Sequence, residues 1–455
     1  KVRILDPACG SGAFPMGALH RIVQLIKKCG GVSEEQSALY SLKLELIEKC
    51  LYGVDIQPIA VQICKLRFFI SLICEQEKTG CIKDNYGFSP LPNLETKFVT
   101  ANTLIGVSKG AKDLPGELFA DQEIASTKKE LHEERHKHFN APTAEAKAEC
   151  RKKDKVLRTK LAQLLQKDKI YDNEEAHQLA GWNPYDQNSV SSFFDAEWMF
   201  NISDGFDIVI GNPPYIQLQK DGGKLATLYE NQKYKSYAKT GDIYCLFYER
   251  GCNLLNVNGR LCFITSNKWM RAGYGEKLRD YFVKNVNPKV LVDFAGVKVF
   301  ESATVDTNIL LFEKGKNEGK TKSCTTTTLT KDGLTNLSDF VRQNSCECSF
   351  ATSDSWVILS PIEQSIKRKI EAVGVPLKDW DISINYGIKT GFNDAFIITS
   401  EKRQEILDNC KTEDERKRTD ELIRPILRGR DIKRYSYEPV SKVATRDKPI
   451  GKQTK

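Results

Sequence analysis

Two short segments carry residues whose types and spacing could do chemistry. The first is DPACGSGAF, residues 6–14. Its small residues let the backbone turn tightly after a short apolar strand and approach a ligand closely, while the helix that follows offers free N–H groups at its amino end. A nucleotide-like cofactor suits such a turn. The dinucleotide fingerprint G-x-G-x-x-G is incomplete: Gly10 and Gly12 supply two glycines and Pro15 stands where the third should be, which disfavours a nicotinamide enzyme. The next strand, LYGVD, ends in Asp55, a carboxylate able to accept hydrogen bonds from both ribose hydroxyls. It lies further along than the roughly 20 residues usual in dinucleotide binders, and a helical stretch over residues 33–49 accounts for the excess.

The second segment is NPPY, Asn212, Pro213, Pro214 and Tyr215, directly after the apolar run of residues 206–210. That position is the carboxyl edge of a strand, where α/β proteins place their ligands. Two successive prolines fix the backbone and cannot donate hydrogen bonds, so the Pro213 carbonyl is held outward as an acceptor beside the Asn212 side-chain oxygen. Two acceptors aimed at one point suit an NH2 group. The amine of adenine is a poor nucleophile because its lone pair is delocalised into the ring, and accepting both its protons favours a more pyramidal, more reactive nitrogen. Tyr215 offers a face on which the base can stack. In a duplex that amine is out of reach, so the nucleotide must be flipped out at a cost of a few kcal/mol.

The surrounding pattern supplies the frame for both segments. Residues 1–6 read as a strand, 13–28 as a helix, 51–55 as a strand and 59–75 as a helix, and the alternation resumes at residue 206 with a helix over 242–255 and strands over 259–265 and 308–315. The expected fold class is α/β, a Rossmann-like, doubly wound, mostly parallel sheet. Residues 108–201 break the alternation with a charge-rich helical insertion in which Leu157, Leu161, Leu164 and Leu165 form one apolar stripe. The catalytic domain is expected over 1–345, with 316–335 as a linker or edge hairpin and a different region over 346–455. At 455 residues and 40% hydrophobic composition the chain suffices for two or three domains. Its net charge of +8 permits a polyanionic partner without demanding one. The 14 cysteines form no C-x-x-C pair and read as reduced thiols. No apolar stretch is long enough to cross a membrane and no signal peptide opens the chain, so a cytoplasmic location is expected. The chain opens at Lys1 almost within a motif, as a piece of a longer polypeptide would.

These residues resemble the amino-group DNA methyltransferases of class I, S-adenosylmethionine-dependent fold, and more narrowly the adenine-specific branch in which the cofactor motif precedes NPPY and target recognition lies C-terminal. The long spacers, the insertion and SINYGIKTGFNDAF (residues 383–396) look most like type IIG restriction-modification enzymes and their phage-defence relatives. The resemblance implies transfer of a methyl group from S-adenosylmethionine to the adenine N(6) amine of double-stranded DNA with the base flipped out, without an obligatory metal. It implies that Asp6, Ala8, Gly10 and Gly12 line the methionine and ribose end of the cofactor and that Asp55 and Ile56 hold ribose and adenine. Asn102, in ANTLIG, stands where the family often has an aspartate contacting the cofactor's adenine amine. Phe300 matches the aromatic that packs against the flipped base. The region from 346 is the start of a target-recognition domain by this likeness, with Arg424, Arg428, Arg430, Lys433 and Arg434 as phosphate contacts. A first cofactor motif ordinarily lies upstream of the glycine turn, and in type IIG enzymes an endonuclease lies outside a chain of this extent.

Other signals carry less. His132 to His136 matches H-E-x-x-H, the zinc-protease helix, but its flanking lysines predict a solvated helix without metal. Residues 315–321, GKNEGKT, are one residue short of a phosphate-binding loop and read as a flexible turn. No Pro-Cys dipeptide offers the nucleophile of ring-carbon cytosine methylation. Glu145-Ala-Lys147 has nuclease spacing without a preceding Pro-Asp. Two alternatives stay open: a methyltransferase acting on another planar amine (protein glutamine, RNA guanine or a cytosine amine), and a catalytically idle DNA-binding module.

Overall fold

The computed structural model describes residues 2–31, 36–76, 82–107, 118–167, 170–297, 299–300, 305–326, 336–383, 397–427, 432–436 and 442–445. The chain opens as β1 (Ile4–Asp6), α1 (Ala13–Lys28), α2 (Gln36–Cys50), β2 (Leu51–Asp55), α3 (Pro58–Ile73) and β3 (Phe98–Thr100). Then come α4 (Leu118–Asn140), α5 (Ala144–Lys167), α6 (Asn173–Gly181) and α7 (Ala196–Phe200), followed by β4 (Phe206–Gly211), α8 (Lys224–Glu230) and α9 (Tyr244–Leu254). The sheet is completed by β5 (Leu255–Ser266), β6 (Val286–Asp293) after α10 (Glu276–Asn285), β7 (Thr307–Lys314), β8 (Thr321–Thr325) and β9 (Cys346–Cys348).

The sheet runs β3-β2-β1-β4-β5-β7-β6-β8-β9. Strands β3, β2, β1, β4 and β5 are parallel, and β7 lies antiparallel between β5 and β6. This is the mostly parallel, doubly wound sheet that the alternation of strands and helices predicts. The order of strand addition reverses between β1 and β4, the switch point at which such sheets bind ligands. One face is fully closed: Val209, Leu261, Phe263, Leu291, Leu310 and Phe312 have no exposed area. Alternate residues of the same strands, Ile208, Ile210, Cys262, Val290, Ile309 and Leu311, face the other way and stay partly exposed.

Two expectations need correction. Residues 321–325, expected within a linker or edge hairpin, form β8, paired parallel with β6. Their Thr and Ser side chains disguised a strand: Thr321 and Ser323 are wholly buried, and the Thr321 hydroxyl donates to the Pro288 carbonyl at 3.0 Å. The helix carrying H-E-x-x-H is not simply solvated. Glu134, Arg135 and His138 on α4 are buried, and Arg135 Nε and Arg158 Nε on α5 both donate to the wholly buried Asp154, at 2.9 and 2.6 Å. The leucine stripe of α5 packs as its spacing requires, with Leu161 and Leu165 buried and Leu157 and Leu164 at the margin.

The chain divides into two compact units, residues 1–367 and 368–455. Residues 346–348, expected to begin the second domain, add β9 to the edge of the large sheet beside β8. The second unit has helices Ser400–Asp408 and Glu413–Leu422 and a small antiparallel sheet in which β12 (Lys442–Thr445) lies between β10 (Ile397–Thr399) and β11 (Ile423–Pro425). Arg424, Lys433 and Arg434 are on its surface, whereas residues 384–396, Arg428 and Arg430 lie outside the described residues. No helix among the described residues is long and apolar enough to cross a membrane.

Candidate active site

The glycine turn leaves β1 at Asp6 and enters α1 at Ala13. Gly12 takes φ +81°, and a Cβ there would meet Cys64 Sγ of α3 at 2.5 Å, so a side chain at this position is opposed both by conformation and by space. No side chain caps α1, which leaves its first N–H groups available to a ligand. Asp55 organises the turn from the neighbouring strand. Its Oδ2 accepts from the Gly10 N–H and its Oδ1 from the Gln57 N–H, both at 2.8 Å. A carboxylate has about four lone-pair directions, so two remain for the hydroxyls of a ribose. Ile56 follows with half its surface exposed, an apolar side chain beside a polar anchor. Thr103 fixes the turn from a third strand end, its hydroxyl donating to the Pro7 carbonyl at 2.7 Å.

Asp6 is buried and couples the turn to β4. Its Oδ1 accepts from Ala8 N–H at 3.1 Å and would lie 2.6 Å from a Cβ at Gly211, the residue before Asn212. Glycine at 211 is therefore what lets the second motif approach the first. Loss of water pushes the Asp6 carboxyl up to about 8; the Ala8 N–H opposes this and the charge of Asp55 adds to it.

In NPPY, the Asn212 Oδ1 is buried and has no hydrogen-bond partner. A buried acceptor left unpaired costs about 1–3 kcal/mol, which a donor arriving from a ligand would offset. Pro213 is buried behind it. The Tyr215 ring is half-buried, set edge-on to Tyr244 with centroids 6.0 Å apart, and its hydroxyl donates to the Ile264 carbonyl at 3.3 Å. The segment after NPPY is clamped against the start of α9, with Leu218 N–H donating to the Gly241 carbonyl and Ile243 N–H to that of Ile216, each at 2.9 Å. The motif thus stands on a fixed support.

Two expected residues have neighbours that the sequence did not reveal. Asn102 is buried, with its amide against the Tyr229 hydroxyl of α8 at 3.3 Å and its Oδ1 accepting from the Leu104 N–H at 3.2 Å. Phe300 packs with Phe14 of the glycine turn against a cluster of Ile264, Val292, Phe294 and Cys324, so it has a core role on the same side as the turn. Sequence reasoning also missed Asp242, whose Oδ2 accepts from the Tyr274 hydroxyl at 3.0 Å while Tyr274 meets Tyr244 at 2.7 Å. The GDIY segment bearing Asp242 has no spacing that signals it. Among the described residues no three His, Cys, Asp or Glu side chains are grouped to hold a metal ion.

Comparison with known proteins bears on this geometry. The family model described as Eco57I restriction-modification methylase matches residues 49–300. The chain is 24% identical over 415 residues to the type II restriction enzyme and methyltransferase RM.Eco57I of Escherichia coli, an alignment covering 87% of this chain and 33% of that protein. It is 28% identical over 366 residues to a putative type II restriction enzyme and methyltransferase of Methanocaldococcus jannaschii, covering 69% and 30%. The type II methyltransferase M.PaeR7I of Pseudomonas aeruginosa is 26% identical over 202 residues, 42% of this chain and 35% of that protein. The chain therefore spans about a third of the length of these curated relatives. Among solved structures, the type IIL restriction-modification enzyme MmeI in complex with DNA aligns over 98% of this chain and 45% of its own, at 12% identity and a TM-score of 0.41.

Proposed function

The chain belongs to the Eco57I restriction-modification methylase family, and from that premise we propose that it methylates the N(6) amine of adenine in double-stranded DNA, with S-adenosylmethionine as donor. The observation that carries the reading is the unpartnered, buried Asn212 Oδ1 at the end of β4, one residue beyond the contact between Gly211 and Asp6. When bound, the cofactor supplies a methyl group already activated by its sulfonium charge. Asp55 would hold the ribose, and Ile56 and Asn102 the adenine. Asp6, Ala8, Gly10 and Gly12 would line the methionine end.

Asn212 Oδ1 and the Pro213 carbonyl would each accept one proton of the target amine, drawing its lone pair out of the ring, while Tyr215 and Phe300 pack against the flipped base. Pro214 keeps the Pro213 carbonyl in place. The work of these groups is positioning and polarisation, and the proton released after transfer can pass to water. Residues 368–455, with Arg424 and Arg434 exposed, would begin the region that reads the DNA target.

The test is transfer of labelled methyl from S-adenosylmethionine to unmethylated genomic DNA, followed by digestion to identify the modified base. Labelled N(6)-methyladenine is expected. Asn212→Ala should lower the rate by a factor on the order of 100 or more while cofactor binding, followed by titration calorimetry, stays unchanged. Label in protein or RNA, or full activity in that variant, would refute the assignment.

A further inference from the structure

The helical insertion meets the sheet at the edge opposite to the glycine turn and NPPY. At the amino ends of β1, β2 and β3 it borders a recess of about 730 Å³, to which Arg3, Tyr52 and Lys97 come from the sheet and His132, Arg135 and His136 from α4. Small-molecule sites commonly occupy about 300–1,000 Å³. The strands are parallel, so this recess and the candidate active site lie at their two ends.

Charge around the recess is unevenly matched. Arg3 pairs with Asp204, Lys49 with Glu45, and His136 Nδ1 lies 2.5 Å from Glu48. Lys97 has no such partner among the described residues. Its ammonium meets the Tyr52 hydroxyl at 3.5 Å and stands 4.5 Å from the centre of that ring. Burial, opposed more weakly by the charges of Glu48 and Cys50, lowers its pKa to about 8. His132 is also lowered, first by burial and then by the charges of Lys97, His136 and Arg135. Arg135 spends Nε on Asp154 and Nη1 on the Trp198 carbonyl, but its buried Nη2 has no acceptor. Arg3, Lys49, Lys97, Arg135 and Lys137 line the recess against the carboxylates of Glu48 and Glu133, and among these cations Lys97 is the one without an ion pair within the described residues. An ammonium withdrawn from water without a counter-ion destabilises the fold, and an anion that binds the folded state offsets that cost.

We infer that this recess binds a small phosphate-bearing molecule, with its phosphate set against the Lys97 ammonium. Tyr52 and Phe200 add aromatic wall for whatever the phosphate carries. The ligand is a second one, separate from the donor and acceptor of methyl transfer.

Equilibrium dialysis of the intact chain against labelled pyrophosphate, and separately against labelled ATP, tests this. Saturable binding of at least one probe is expected. Lys97→Met should weaken it by a factor of roughly ten or more, the worth of a hydrogen bond to a charged group, and Asp55→Ala at the opposite strand ends should leave it unchanged. Tighter binding of ATP would identify a nucleotide as the source of the phosphate and equal binding a bare phosphate group; both uphold the site. Absence of saturable binding by both probes, binding untouched by Lys97→Met, or binding lost in Asp55→Ala overturns it. If Lys97→Met does not fold, Lys97→Gln keeps a polar end without the charge and should weaken binding severalfold, with unchanged affinity counting against the site.

Discussion

The Asp6 carboxyl is carried to a pKa of about 8 chiefly by burial, from an ordinary value of 3.8. Between those two values the folded protein holds a proton that the unfolded chain has released, so stability falls as pH rises from about 4 to about 8 and levels off above. Asp6→Asn removes the titration. Thermal melts should therefore show the variant gaining on the parent across that interval, by a few kcal/mol in all. A cationic ligand beside Asp6 would favour the ionised form, so S-adenosylmethionine affinity should increase with pH up to about 8, and the increase should vanish in Asp6→Asn. Gly12→Ala should cost about 1–2 kcal/mol from its left-handed backbone alone and more from Cys64, with Cys64→Ala recovering the second part in urea titrations. Asp6, Asp55, Gly12 and Asn212 were legible because each sits in a short motif with its own steric logic. Tyr229 was not, since it reaches Asn102 from 127 residues away.

The helical insertion is tied together by the buried group of Asp154, Arg135 and Arg158. Burial alone would raise the Asp154 pKa, but the two guanidinium charges outweigh it and hold the carboxyl below its usual value. A depressed carboxylate stabilises the fold above its unfolded pKa and loses that contribution as acid protonates it, so the insertion should loosen below about pH 4. Asp154→Ala should destabilise by about 3–5 kcal/mol, because it leaves two buried cations without their anion; hydrogen exchange over α4 and α5 would locate the loss. The amphipathic stripe of α5 and the strands flanking each motif were legible from periodicity. This polar tie was not, because charged residues spaced along a helix give the same pattern whether they face water or one another. Strand β8 escaped for a related reason, its buried positions being Thr and Ser rather than Val and Ile.

The division after Lys367 gives the first unit both strand sets that bear the motifs, together with the insertion and β9. A fragment ending there should fold alone and bind S-adenosylmethionine as the longer chain does, whereas DNA affinity should fall if the second unit supplies target contacts; circular dichroism, calorimetry and gel shift would check each part. The doubly wound order was legible because strands and helices alternate with glycine or proline at their joints. The antiparallel β7 and the sheet's continuation to Cys348 were not, since pairing direction leaves no local mark. The buried ties of the insertion run largely to its own backbone: Arg135 to Trp198 and Met199, Arg158 to Ala180 and Trp182. In terms of descent, a block braced in this way tolerates change within itself, provided the bonds that seat it on the sheet are kept, among them Ser191 N–H to the Thr100 carbonyl and Asn93 N–H to that of Phe139.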